Sequence, residues 1–301
     1  MKTRSLHQIT LAIGGFATLL ASACNYATAQ NVTLSVNRLI RAYVPGQILQ
    51  YEMTGSNDGW EYQLRATDVT KKDDSGAFYE EIAWSDLHSN APLKLSPASL
   101  AFRQTLSLDN ADKYMTIPDF SKVQPFLIGP ITDTLTFYSD VLLANNAGLV
   151  KAGQHEYVEH GKPNSWADGQ RVLIGQDAID FDISVLQVSQ KDQTLTLLIQ
   201  HVPPRHPRLE YPATWMNNPV ANTRNNWEQL EHTGEKYIAQ VGQETFDVRI
   251  TLDLRDGKIF SASLHNVIIA VSRECKDRDL TNCGMAATKS MRREVSFRLV
   301  Q

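Results

Sequence analysis

The chain has 301 residues, 42% of them hydrophobic and 21% charged, which is the composition of a globular protein. Its 29 basic and 33 acidic residues leave a formal charge of −4, and the largest basic patch is the short segment Lys289–Arg293. A mildly acidic chain without a larger basic cluster argues against nucleic acid as a partner.

The first thirty residues are typical of a secretory signal. Lys2 and Arg4 form a basic start, Ile9–Ala23 form an apolar core, and small residues follow. The core is shorter than the roughly 20 apolar residues that span a bilayer, and no later apolar run is as long. We therefore expect an exported protein, periplasmic or extracellular, without a transmembrane segment in the mature chain.

Two positions compete as the end of this signal. Residues 27–29, Ala-Thr-Ala, satisfy the small-x-small rule and predict cleavage directly after them. Cys24 offers the alternative of a lipidated first residue, which would anchor the protein to a membrane. A lipid-attachment box needs a Leu-like residue three positions before the cysteine, where Ala21 stands. We therefore favour a cleaved signal over 1–29 and a single exported β-rich domain over 30–301.

Alternating apolar and polar residues dominate the first half of the mature chain. Turn residues separate the alternating segments at Asn57–Gly59 and at Lys71–Gly76. This pattern is typical of half-buried β-strands joined as hairpins. The predicted strands are Gln47–Gly55, Gly59–Val69, Gly76–Trp84 and Arg103–Asp109.

One segment, Pro130–Asn146, breaks the alternation. Either Thr132 or Asp133 is a suitable N-cap, and a proline just before the first turn is tolerated. We expect a helix near 131–146, with a pair of strands as the alternative because threonine is a mediocre helix former. The residues at helical spacing are Leu135, Tyr138, Val141 and Leu142.

The segment His155–His160 comes nearest to a catalytic signature. A zincin needs His-Glu-x-x-His, which puts two imidazoles on one helix face with a glutamate beside the metal-bound water. Here the second histidine comes one position too late, and Gly153 and Gly161 leave little room for a helix. We expect a polar strand or loop at this place, and neither a metal site nor a cofactor.

The second half of the chain continues with longer alternating segments. Asp256-Gly257 is its strongest hairpin signal, because both central positions of a type I′ turn need positive φ. In the long strand that follows this turn, a bulge is expected near Asn266. The predicted strands are Ala178–Gln190, Thr194–Val202, Asn225–Thr233, Lys236–Gly242, Glu244–Leu254, Lys258–Cys275 and Arg293–Val300.

A long polar loop, His201–Asn226, holds five of the twelve prolines. Loops of this length within compact domains tend to be functional or mobile. Its basic and aromatic side chains are candidates to close over a ligand, with packing across a sheet edge as the alternative. The candidate contacts are His201, Arg205, His206, Tyr211 and Trp215.

Cys275 and Cys283 lie close together near the end of the chain. In an oxidising compartment two neighbouring cysteines usually pair. We expect a disulfide that closes a small polar loop, so Cys24 has no disulfide partner and is either lipidated or removed.

Together these patterns predict a mainly β fold, an antiparallel meander that forms a curved sheet or half-barrel with one inserted helix near 131–146. No nucleophile elbow, Ser-x-x-Lys pair or phosphate loop occurs in the sequence. We expect an exported cell-envelope protein, non-enzymatic, that binds a lipid or another small amphiphile in the curved sheet or serves a structural role. A secreted or periplasmic hydrolase with its site near 201–226 and a surface adhesion module are the alternatives.

Overall fold

The computed structural model describes residues 39, 41–120, 123–167, 172–206 and 209–300. Within these residues thirteen strands form one antiparallel sheet, accompanied by three α-helices. The two ends of the strand order do not meet, so the sheet is open. The predicted mainly β architecture with one longer inserted helix is confirmed. The predicted signal and Cys24 lie outside the described residues.

The elements have the following bounds. The strands are β1 (Ile48–Asn57), β2 (Trp60–Lys72), β3 (Phe78–Ser89), β4 (Gln104–Leu106), β5 (His155–Val158), β6 (Asn164–Ala167), β7 (Val172–Asp177), β8 (Asp180–Ser189), β9 (Thr194–Val202), β10 (Trp227–Thr233), β11 (Lys236–Asp253), β12 (Ile259–Cys275) and β13 (Ala287–Leu299). The helices are α1 (Pro97–Ala101), α2 (Ala111–Tyr114) and α3 (Pro125–Asn146). Hydrogen bonding orders the strands β4-β3-β2-β1-β13-β12-β11, so β1 and β13, far apart in sequence, are neighbours.

The sheet divides into two branches at β11. The first half of this strand pairs with β10, which leads to β7 and β6, and the second half pairs with β9, which leads to β8 and β5. Asn226 lies at the division: its amide donates to the carbonyl oxygens of Ala178 and Glu244 at 3.0 and 3.1 Å and accepts from the Glu244 N–H at 2.8 Å. One side chain thus replaces the ladder hydrogen bonds that are missing where the branches separate.

One face of the sheet and α3 enclose the main hydrophobic core. Side chains at every second strand position point to this face, as the period of a β-strand requires. They pack against the apolar side of α3, and the largest of them are fully buried. The core is built around Tyr51, Met53, Trp84, Val248, Leu264 and Phe297 from the sheet and Leu127, Ile131, Phe137 and Tyr138 from α3.

The helix is longer than its sequence pattern predicts, since it begins at Pro125 rather than near residue 131. Its N-cap is Gln124, without a side-chain capping bond, so the prediction of Thr132 or Asp133 as cap was wrong. Pro130 lies inside the helix. Thr132 bonds back to the carbonyl oxygens of Ile128 and Gly129, and Thr134 bonds back to that of Pro130, as threonines inside helices often do.

Two buried acids fix α3 across the strands. Asp133 accepts from Arg293 of β13 at 2.7 Å, and Asp140 contacts the His201 imidazole of β9 at 3.0 Å. The two acids lie two turns apart, about 10 Å along the helix. Their partners belong to one row of residues that crosses the sheet, Phe181–His201–Phe246–Asn266–Arg293. The helix therefore runs across the strands rather than along them.

Three local details depart from the sequence prediction. The connection at Asp256-Gly257 is not a two-residue type I′ turn, because it spans residues 254–258 and only its glycine has positive φ. Type I′ geometry occurs instead at Asp58-Gly59, with φ of 47° and 88°. Asn266 lies in regular register, so the prediction of a bulge near it was wrong; the irregularity of the β11–β12 ladder lies between Thr251 and Leu252.

The predicted disulfide between Cys275 and Cys283 is confirmed. Cys275 is fully buried in a second, smaller core on the opposite face of the β10–β12 branch. This core also contains Met216 from a short 3₁₀ helix, Thr214–Asn217, and the side chains of Tyr211 and Trp215. The disulfide therefore closes the short loop after β12, and both cysteines pack against the layer formed by the long loop.

Removal of the Asp140 carboxylate is expected to destabilise the fold strongly. The variant Asp140→Ala leaves the buried His201 imidazole without its hydrogen-bond partner, and an unsatisfied buried polar group costs about 1–3 kcal/mol. Urea unfolding of the purified protein measures this difference. The matched control is Asp182→Ala, which removes the partner of the half-exposed His155 and should cost less than about 1 kcal/mol. Equal stability of the two variants would show that Asp140 does not hold the helix.

Candidate functional site

The sheet face opposite α3 forms an open trough with a volume of about 1100 Å³. Its side chains alternate along each strand with residues of the main core. Thr54 and Arg249, for example, are exposed, whereas their neighbours Met53 and Val248 are completely buried. The two-residue period of the strands therefore produces both the trough and the core. Substitutions in the trough lining need not alter the core.

Two rows of side chains run along the trough, each crossing six strands from β9 to β2. Residues in a row are direct cross-strand partners, so their Cα atoms are spaced by about 4.8 Å and each row is about 24 Å long. The acid row is Gln200–Asp247–His265–Glu294–Ser56–Glu61. The hydroxyl row is Leu198–Arg249–Ser263–Ser296–Thr54–Gln63.

Two of the three carboxylates of the acid row contact a neighbouring side chain in the row. The amide of Gln200 donates to Asp247 at 2.9 Å, and the His265 Nδ1 lies 3.5 Å from a Glu294 oxygen. Each carboxylate keeps further acceptor positions for a ligand, because an ionised carboxylate has about four lone-pair sites. The hydroxyl row adds Ser, Thr and Gln groups that both donate and accept. The trough is thus chemically suited to a polar ligand.

The β2 end of the trough is held in place by Asn90. Its side chain accepts from the Glu61 N–H at 3.0 Å and donates to the Gly59 carbonyl oxygen at 2.7 Å. These bonds position the rim residues His88 and Ser89 beside the two rows. The rim is therefore fixed by the fold.

A second polar cluster lies where the two branches of the sheet separate. Glu244 is buried and accepts from Asn266 at 3.0 Å, while the half-buried Asp177 accepts from Asn164 at 2.9 Å. Burial, reinforced by the neighbouring Asp177, raises the pKa of Glu244 to about 8. Burial also raises the pKa of Asp177 to about 6. The pKa values of both carboxyls therefore lie closer to neutral pH than those of ordinary Asp and Glu side chains.

Two of the histidines noted in the sequence approach this cluster from opposite sides of Phe181. The ring centroids of His160 and His201 lie 5.7 and 4.8 Å from that of Phe181. His160 contacts Asn164 at 3.2 Å, which continues the hydrogen-bonded chain to Asp177. Asn164 thus connects the half-exposed His160 to Asp177 by two hydrogen bonds.

A third polar cluster is sealed in the main core. Arg41 donates from Nε to Glu80 at 3.0 Å, and both side chains are 1% exposed. Asp68 lies beside them, and burial together with the charge of Glu80 raises its pKa well above the ordinary value. Because these groups are enclosed beneath α3, we interpret them as the anchor of the segment that precedes β1.

The candidate ligand contacts of the long loop do not converge on one pocket. His201 faces the main core and is occupied by Asp140, whereas Arg205 stacks on the Tyr157 ring at 4.0 Å. Tyr211 and Trp215 pack into the second core, where their polar groups donate to backbone carbonyl oxygens of Asn225 and Leu280. His206 is exposed. The loop therefore lies across the sheet in its described part.

Within the described ranges, His, Cys, Asp and Glu side chains do not assemble into a group of three that could hold a metal ion. His155 pairs with Asp182, and His160 pairs with Asn164. None of the helices in that part of the chain is long and apolar enough to cross a membrane.

The stability of the protein should decrease as the pH rises from about 5 to about 8. Folding raises the pKa of Glu244 to about 8 and that of Asp177 to about 6, so the folded state holds protons that the unfolded chain releases above about pH 4. In the variant Glu244→Gln, the loss of unfolding free energy over this pH range should be smaller by about 2–4 kcal/mol. Urea unfolding across this pH range measures the slope.

The exposed carboxyl of Glu294 provides the control for this pH experiment. Glu294→Gln also removes one acid but leaves the buried cluster intact, so the pH slope of the wild-type protein should be retained. A Glu244→Gln slope identical to that of Glu294→Gln would contradict the assignment of the stored proton to Glu244.

Comparison of the chain with models of protein families, with curated proteins and with solved structures finds no match.

Proposed function

We propose that the protein is an exported binding protein of the cell envelope, non-enzymatic, whose ligand occupies the trough. The observation that carries the proposal is the trough itself, about 1100 Å³ in volume and lined by two parallel rows of polar side chains. Export is supported by the signal pattern at the N-terminus and by the disulfide, a bond typical of oxidising compartments.

The position of the core supports a ligand on the outer face of the sheet rather than between sheet and helix. The inner face is packed against α3 by large side chains, and Trp84, Phe137 and Phe297 are at most 1% exposed. The outer face of the same strands lines the open trough. A lipid or other small amphiphile remains a prediction from sequence, and the trough favours a more polar ligand.

The shape and chemistry of the trough favour an extended, hydroxyl-rich polymer such as a glycan strand. A surface about 24 Å long accommodates several sugar units, and every sugar hydroxyl both donates and accepts hydrogen bonds. Ser263, Ser296 and Thr54 offer matching groups in the middle of the trough. An envelope glycan would also be present in the compartment to which the signal directs the chain.

A hydrolase is the second candidate, and the cluster around Asp177 and Glu244 is the observation that favours it. Carboxyls with pKa values near neutrality are suited to general acid and base catalysis. Incubation with glycans and detection of new reducing ends tests this candidate. Cleavage that disappears in Asp177→Asn would replace the binding proposal by a hydrolase.

A bulky side chain in the middle of the trough should abolish binding. Ser296→Trp fills the hydroxyl row and is expected to weaken the binding of envelope or extracellular polysaccharides at least about tenfold, or about 1.4 kcal/mol. Affinity electrophoresis with a panel of soluble polysaccharides measures the effect, and circular dichroism confirms that the variant is folded.

Ser290→Trp is the matched control, because Ser290 is exposed on the same face of β13 but outside the trough. It should bind as the wild-type protein does. Equal binding by both tryptophan variants would exclude the trough as the site. A lipid that co-purifies with the protein, without any binding of polysaccharide, would favour an amphiphile carrier instead.

A further inference from the structure

The acid row places three carboxylates on alternate strands of the trough. Asp247 lies on β11, Glu294 on β13 and Glu61 on β2, with one strand between each successive pair. Since neighbouring strands are about 4.8 Å apart, consecutive carboxylates are spaced by about 10 Å. The row therefore presents negative charge at a regular interval over about 20 Å.

The charged lining of the trough is predominantly acidic. Arg249, at the β11 end of the hydroxyl row, is the one Lys or Arg among the described lining residues, against the three carboxylates of the acid row. A groove whose lining carries a net negative charge attracts ligands of the opposite sign. Because the three acids are exposed, they can bind a cation without a large desolvation cost.

Neutral hydrogen-bonding groups accompany the acids at a constant distance. Along each strand the hydroxyl row lies two residues from the acid row, which is about 6.6 Å. Ser263, Ser296, Thr54 and Gln63 form this second row beside the carboxylates. A complementary ligand has cationic groups that recur along one edge and hydroxyl groups along the other.

We propose that the trough binds a glycan strand that carries free amino groups, with successive ammonium groups on Asp247, Glu294 and Glu61 and sugar hydroxyls on Ser263, Ser296 and Thr54. This inference rests on the proposed binding function and specifies its ligand class. An amino-sugar polymer combines positive charge at a fixed repeat with a dense set of hydroxyls, as the two rows require.

A basic peptide fits the same surface less well. In an extended strand the side chains on one side recur every two residues, about 6.6 Å, which does not match the spacing of the acids. A polyproline II segment with a basic residue at every third position would match it at about 9.3 Å. Such a peptide has few hydroxyl-type groups to engage Ser263, Ser296 and Thr54.

Calorimetric titration of the full mature protein with short oligomers of equal length tests the inference. The probes are oligomers of glucosamine, of N-acetylglucosamine and of glucose, together with an oligolysine of similar length. The glucosamine oligomer should bind at least about tenfold more tightly than its acetylated form, a difference of about 1.4 kcal/mol. In about 0.5 M NaCl this difference should largely disappear, because salt screens exposed charges.

Individual acids should contribute by similar amounts. Each of Asp247→Asn, Glu294→Gln and Glu61→Gln should weaken binding of the glucosamine oligomer about two- to fivefold, the effect of one exposed ion pair. Binding of the neutral oligomers should not change. Glu156→Gln, which removes an exposed carboxylate on β5 outside the trough, is the matched control and should bind normally.

The outcomes separate this inference from the proposed function. Equal affinity for all three glycan oligomers, lost in Ser296→Trp, would overturn the amino-sugar assignment and retain a glycan-binding trough. Tighter binding of oligolysine than of the glucosamine oligomer would replace the glycan by a basic peptide. If none of the probes binds, both this inference and the glycan proposal fail.

Discussion

The contact between α3 and the sheet determines which surface of this protein is available. Asp133 and Asp140 reach into the sheet from one side of the helix and pair with Arg293 and His201. Buried acids of this kind are stable only with their partners in place, so the helix cannot shift along the sheet or leave it at low cost. With the inner face occupied in this way, the outer face and the point where the branches separate are the places in the described sheet where polar side chains can meet a ligand.

The fold class was predictable because it depends on local patterns. Alternation of apolar and polar residues identified most strands, and the cysteine spacing identified the disulfide. The start of α3 was missed because Pro125 and Pro130 resemble breaks in a helix, whereas tertiary packing outweighs their poor propensity here. The N-cap was also predicted wrongly. Asp133 has a residue type suited to capping, but it pairs with Arg293, about 160 positions later in the chain.

The trough was not predictable from the sequence, because it exists only through strand pairing. Glu61, Asp247 and Glu294 each occupy an ordinary outward position of an alternating strand, and nothing in their local sequence distinguishes them from a solvated face. Their common row results from the register of six strands. The aromatic and basic residues of the long loop looked more informative, yet Tyr211 and Trp215 serve the second core.

The shared strand β11 has a consequence for how the molecule unfolds. Its first half completes one branch and its second half the other, and Asn226 bonds to backbone groups on both sides of the division. Separation of either branch would therefore leave half of the same edge of β11 without a partner. Because Asn226 bonds to both sides of the division, we expect opening of the β10 branch to weaken the start of the β9 branch as well.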